Sequence, residues 1–126
     1  MNAAAFAAVG AGAMLGAWAR WGLGAWLNPA TPNLPLGTLI VNIAGGYLIG
    51  LAVAYFDSHA SLSPEWRLFC ITGFLGAMTT FSAFSAEAMQ LLQAEKYLAA
   101  ALHSGAHLFG AILATILGFA SYRALA

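Results

Sequence analysis

Charge is scarce in this sequence. Of 126 residues only 6% are charged, four acidic and four basic, so the formal net charge is zero with histidine neutral. Soluble domains carry roughly 25% charged residues, so a water-facing globular domain is excluded. The even balance gives no reason to expect nucleic acid or an acidic partner. Cysteine is reduced to Cys70, which cannot form an intramolecular disulfide, implies no redox role and suits a small packing position. No Ser/His/Asp grouping, phosphate loop or cysteine-rich metal motif is present, so nothing points to an enzyme. Repeats and low-complexity tracts are also missing. The first apolar segment lacks a basic leader region and a cleavage-like site, which reads as a retained helix and not a signal peptide.

What is abundant is apolar side chain: 62% hydrophobic, with a mean hydropathy of +0.82. This predicts an all-α integral membrane protein. A crossing takes about 20 residues at about 1.5 Å rise each. Four transmembrane helices fit, at roughly 3–27, 37–56, 67–92 and 97–123, making one transmembrane domain over residues 1–126 with no extramembrane domain. Three of the four prolines punctuate residues 28–35, the first loop. Ser63-Pro64-Glu65 closes the second loop as a helix cap. Residues 93–96 form a third loop so short that the last two helices must be adjacent and antiparallel. Gly12/Gly16 and Gly46/Gly50 have the spacing that lets membrane helices approach closely.

The few cations are distributed evenly. Four spans put both termini on one side, with Arg67 and Arg123, and leave Arg20 and Lys96 toward the other. Two against two gives the positive-inside rule nothing to act on. Insertion in both orientations, and with it an antiparallel dual-topology homodimer, becomes accessible. The alternative is a single orientation chosen by a weak bias at Arg20.

Residues 73–87, GFLGAMTTFSAFSAE, carry the strongest functional signal. Glycines and hydroxyls interrupt a span that should be plain helix, and irregular backbone in hydrocarbon persists only where it is buried in protein or lines a watery path. We therefore expect the third helix to break near its middle, around Gly73, Gly76, Thr79 and Thr80, at an ion or solute site. If helix resumes at Thr80, then Thr80, Phe84, Phe81, Ser85 and Ser82 follow one another across a broad arc. Hydroxyls and positive ring edges can face an anion. The competing reading makes the phenylalanines ordinary packing and turns the serines back onto the preceding turn.

In the second span Thr38 and Asn42 share a face; the amide is either a site donor or interhelical glue. Freed carbonyls at the break can hold sodium. His103 and His107 are four residues apart, yet two ligands without Cys or a nearby acid make a poor metal site. They read instead as intrabundle hydrogen bonders or polar edges on a water-filled path.

Over essentially its whole length the chain resembles the Fluc, or CrcB, fluoride channels. The resemblance is carried by residues 16–21 (GAWARW), residues 37–42 (GTLIVN) with Gly45, Gly46 and Gly50, and the third-span stretch from Gly73 to Ser85. It implies a passive, highly selective fluoride channel of a bacterial inner membrane, working as an antiparallel homodimer with two pores and a central structural sodium ion. By motif, Phe81 and Phe84 would turn ring edges to fluoride, Asn42 would be the pore amide and Arg20 the vestibule cation. Gly76 and Thr79 would offer backbone carbonyls to sodium, and Thr80, Ser82 and Glu87 would be polar positions near the pore; Ser85, from the arc, and Thr38, from the face it shares with Asn42, are expected at the pore with them.

Three departures stand out: Ala77 where relatives often have glycine, Ala83 where they usually have threonine, and His103 and His107 where they often have Tyr and Ser. The histidines can replace those donors. Their protonation would then make flux faster near about pH 6 than near about pH 8.

Two rival functions remain at this level. A small dual-topology proton-coupled multidrug exporter would be expected to carry an acid in its first span, and residues 3–27 contain none. A non-transporting membrane assembly subunit would explain the glycines but not Asn42 or the stretch from Phe81 to Ser85.

Overall fold

A computed structural model describes residues 1–31 and 34–126. Pro32 and Asn33, within the expected first loop, lie outside the described residues. Among the described residues four segments are long and apolar enough to cross a membrane: Ala3–Ala30, Leu36–Ser58, Pro64–Gln93 and Tyr97–Leu125. They match the four expected spans.

Helix α1 runs Ala3–Leu27 and begins at Asn2, whose side chain accepts from the Ala5 N–H at 2.8 Å. A short 3₁₀ turn, Asn28–Ala30, follows. Helix α2, Leu36–Ser58, starts after Pro35, which offers no capping side chain. Its orphan N–H groups are met from across the loop: Asn28 Oδ1 accepts from Gly37 at 2.7 Å and from Thr38 at 3.3 Å, and Thr31 Oγ1 accepts from Leu36 at 3.2 Å. Asn28 therefore clamps the end of α1 to the start of α2.

The third span is two helices. Helix α3, residues 64–78, is capped by Ser63, which accepts from the Glu65 N–H as expected. After Pro64–Arg67 it widens into a π-helix, Leu68–Leu75, and returns to α geometry at Gly76–Met78. Thr79 and Thr80 are extended, and helix α4 is Phe81–Gln93. The break is thus present, but glycine does not cause it. Gly76 is helical at φ −63°, ψ −36°, and Gly73 lies within the π-helix. What Gly73 supplies is room, since a Cβ there would stand 2.7 Å from the Val9 carbonyl oxygen of α1.

The turn after α4 places Glu95 at φ 59° and returns the Lys96 N–H to the Leu91 carbonyl at 2.9 Å, a tight reversal of the Schellman kind. Helix α5, Tyr97–Leu125, follows at once.

Two close seams hold the bundle. Gly12 and Gly16 of α1 face the backbone of α3, where any side chain would collide with the Phe69 and Phe74 carbonyls. Gly46 and Gly50 of α2 and Gly118 of α5 form the second seam, with a Cβ on Gly46 only 2.8 Å from the Ala111 carbonyl. Between the seams Val41, Leu75 and Met78 form a small buried core against Leu23, Ile49 and Phe74. The outside is apolar, with Phe6, Trp18, Trp21, Leu98 and Phe109 exposed. This inversion of the soluble pattern suits a lipid solvent. Cys70 is a free, half-buried thiol.

Candidate functional site

The site grows from the break. Two extended residues between helices leave backbone groups that neither helix can satisfy. Thr79 still belongs to α3: its N–H and its hydroxyl both donate to the Leu75 carbonyl, at 3.0 and 2.8 Å. Thr80 belongs to α4 as its cap, with Oγ1 accepting from the Ala83 N–H at 3.1 Å. The main chain of Thr80 is satisfied from α2. Its N–H donates to Asn42 Oδ1 at 2.7 Å, and its carbonyl accepts from Asn42 Nδ2 at 2.9 Å. One buried amide replaces the partners that the helix would have supplied.

That pairing also decides the state of His107. The amide orientation of Asn42 is dictated by the Thr80 peptide, so the atom 2.9 Å from His107 Nδ1 is the donor Nδ2. Nδ1 must accept, and the neutral ring then carries its proton on Nε2. This nitrogen is buried with no hydrogen-bond partner among the described residues. Phe84 stacks on the His107 ring at 4.8 Å and 28°, and Phe81 meets Phe84 edge-on at 5.2 Å and 73°.

Asn42, Thr80, Phe81, Phe84 and His107, with Thr115 further along, line a cavity of about 280 Å³. Phe81 is 76% exposed, so the cavity opens on the outer face of this chain.

Beside it lies a second polar group. Thr38 Oγ1 donates to Glu87 Oε1 at 2.5 Å and accepts from Asn28 Nδ2 at 3.3 Å. The other Glu87 oxygen is 3.4 Å from His103 Nε2. His103 is fully buried and packs edge-on against His107 at 4.5 Å. Asn28, Thr38, Glu87, His103, His107, Asn42 and Thr80 thus form one continuous polar seam where α2, α4 and α5 meet. The acid judged missing from the histidine pair is supplied by α4, from sixteen residues up the chain. Asn28 was legible only as a loop residue.

The remaining predicted residues scatter. Ser85 donates back to the Phe81 carbonyl at 2.8 Å and is exposed, and Ser82 Oγ lies 3.2 Å from Thr80 Oγ1 at the start of α4. Neither lines the cavity. Arg20 also stands apart, with Nε donating to the Ala77 carbonyl at 3.1 Å near the end of α3.

A model of the family described as CrcB-like protein, Camphor Resistance (CrcB), matches residues 7–119. The chain belongs to the CrcB family. Curated relatives in this family are named fluoride-specific ion channel FluC. The chain is 55% identical over 126 residues to the one from Cupriavidus metallidurans, covering the whole of both proteins. It is 56% identical over 121 residues to that from Thiobacillus denitrificans, covering 96% of the chain and 98% of the relative. With that from Pseudomonas putida the figure is 53% over 115 residues, 91% of each. This CrcB-family chain is therefore a multi-pass membrane protein of an ion-channel family, not of an enzyme family.

Proposed function

We propose that the chain is a passive, selective fluoride channel that exports fluoride across a bacterial inner membrane as an antiparallel, dual-topology homodimer with two pores. The observation that carries this reading is the braced break: Asn42 holds Thr80 in extended geometry, so that Phe81, Phe84 and His107 converge on one cavity. The names of its CrcB relatives, fluoride-specific ion channels, supply the ion.

Fluoride is small and strongly hydrated, so a route must replace its water in steps with donors and leave each step weak enough to escape. The buried Nε2–H of His107 is such a donor, and the positive edges of Phe81 and Phe84 supplement it. The Asn42 amide hydrogens are both committed, to Thr80 and to His107. Asn42 therefore shapes the route and orients His107 rather than offering a free donor. Glu87 and His103 lie behind this wall, where Thr38 holds the carboxylate. Arg20, on the Ala77 carbonyl, would still contribute positive potential to a vestibule near the end of α3.

The exposed Phe81 calls for a second chain to close the cavity. The even distribution of basic residues permits the opposite orientation that such a partner needs. For a central sodium ion the donors fit. The Gly76 and Thr79 carbonyls lie where α3 ends, a helix C-terminus carries partial negative charge, and an all-oxygen set suits a hard cation. Gly76 is exposed on this chain, so a partner's carbonyls could reach the same ion. Sodium bound there would attract the partial negative charge of carbonyls from both chains and hold the chains together.

The test is efflux from liposomes loaded with potassium fluoride or potassium chloride, with valinomycin added and each anion followed by a selective electrode. Rapid fluoride release with chloride retained is expected. Retention of both anions by a verified dimer would overturn the reading.

A further inference from the structure

We propose that Glu87, His103 and His107 form a binding site for one divalent transition-metal ion of the zinc class, and that its occupancy obstructs the route past His107. The metal site stands on side-chain geometry alone; the obstruction rests on the channel reading above.

One potential ligand atom from each residue falls within 4.8 Å of the other two. The Glu87 Oε2 to His103 Nε2 separation is 3.4 Å. Bonds of about 2.0–2.2 Å at tetrahedral angles set ligand atoms roughly 3.3–3.6 Å apart, so this pair already spans one edge of a zinc tetrahedron. His103 and His107 come from one face of α5 and the carboxylate from α4, so the ligands are fixed by two packed helices and not by a loop. Glu87 Oε2, both ring nitrogens of His103 and Nε2 of His107 are buried without hydrogen-bond partners among the described residues. The histidines are 0% and 4% exposed. Unanswered polar atoms at such depth are costly, and an ion would satisfy three together.

The supporting shell is also present. Thr38 donates to Glu87 Oε1 and is itself oriented by Asn28, the kind of outer contact that positions a ligating carboxylate. Two imidazoles and one carboxylate favour zinc, copper or nickel. Calcium wants six to eight oxygens, and magnesium a near-octahedral oxygen shell. His107 also lines the cavity, so a fourth position on the ion would face the route.

Binding has a defined consequence for Asn42. Ligation through His107 Nε2 displaces the proton held there, and the neutral ring must then carry its proton on Nδ1, which faces the Asn42 donor. The contact is lost. A single neutral hydrogen bond is small beside a metal–imidazole bond, so the ion wins, and it disturbs the brace on Thr80 while narrowing the route.

The test starts with zinc binding to chelator-stripped protein purified without a polyhistidine tag, by equilibrium dialysis and calorimetry in detergent. One zinc per chain is expected. Outer-sphere partners alone set about 10–100-fold in affinity, so His103→Gln and Glu87→Gln should each weaken binding by about 100-fold or more. His59→Gln, at an exposed position outside the site, should leave it unchanged. Cobalt added to the wild-type protein should give visible absorption of tetrahedral strength, a readout that needs no variant to fold. No retained zinc, or zinc lost on changing His59 alone, would overturn the site. In liposomes zinc should stop fluoride efflux and a chelator should restore it. Zinc bound at the site with efflux unaltered would overturn the obstruction, whereas a wild-type protein that binds zinc but never conducts fluoride would overturn the channel reading and leave the metal site standing.

Discussion

The two helices of the third span lie end to end in one crossing and are built on opposite terms. In α3 the contacts are made by what is missing: Gly12, Gly16 and Gly73 remove side chains so that two backbones can touch. In α4 they are made by what reaches out, with Phe84 on His107 and Glu87 on Thr38 and beside His103. The first half is an anchor with little tolerance for added volume, and the second presents chemistry to α2 and α5. Damage should therefore differ between the two halves. Changes along α3 and its partner α1 should remove the folded protein, whereas changes on α4 should leave it folded and alter transport.

Gly16→Leu tests the anchor most severely. Its Cβ would collide with the Phe74 carbonyl, and backbone cannot rotate away as a side chain can. Destabilisation of about 3 kcal/mol or more is expected, read as loss of the monodisperse species on size exclusion and a lower melting temperature. A well-folded Gly16→Leu protein would show that the α1–α3 seam can open to admit a side chain. Asn42→Ala strikes the junction of the two halves. It leaves the Thr80 N–H and carbonyl unanswered at about 1–3 kcal/mol for each group. Both stability and fluoride flux should fall, with fluoride electrode traces and thermal melts reporting each.

Phe81→Ile separates the halves most cleanly, because the ring is largely exposed on the single chain. Fluoride flux should drop by about tenfold or more, equivalent to about 1.4 kcal/mol of lost stabilisation along the route, while the elution profile stays that of the wild type. Normal conduction would refute the ring-edge role. Ser85→Ala should do least, since that hydroxyl only returns to the Phe81 carbonyl. Flux within about twofold of wild type and stability within about 0.5 kcal/mol are expected; a large loss would return Ser85 to the route.

The four spans were legible because an apolar run of sufficient length has few alternatives in a bilayer, and the predicted bounds fall within a few residues of the helices. The break was legible in place but not in cause. Threonines 79 and 80 adopt the extended geometry, while the adjacent glycines stay helical and serve helix approach, a use that a single sequence does not distinguish from unwinding. Of the arc across α4, Phe81, Phe84 and Thr80 reach the cavity, but Ser82 and Ser85 do not. A short hydroxyl within a helix has a carbonyl of the preceding turn always in reach, and angular position alone does not reveal which partner it takes. Asn42 could be read as donor or glue, and both of its donor hydrogens are spent within the bundle.

Sequence alone determined that this protein lives in a membrane, crosses it four times and interrupts its third crossing with polar residues, because hydrocarbon tolerates so few arrangements of charge and backbone. Tertiary structure decided the pairing. It set Asn42 against the Thr80 peptide, Asn28 against the start of α2, and Glu87 beside two histidines that are close along the helix but had no acid in sequence reach. Those choices depend on how α2, α4 and α5 are rotated about their axes: the glycine seam sets α2 against α5, and the side-chain contacts of Phe84 and Glu87 set α4 against both.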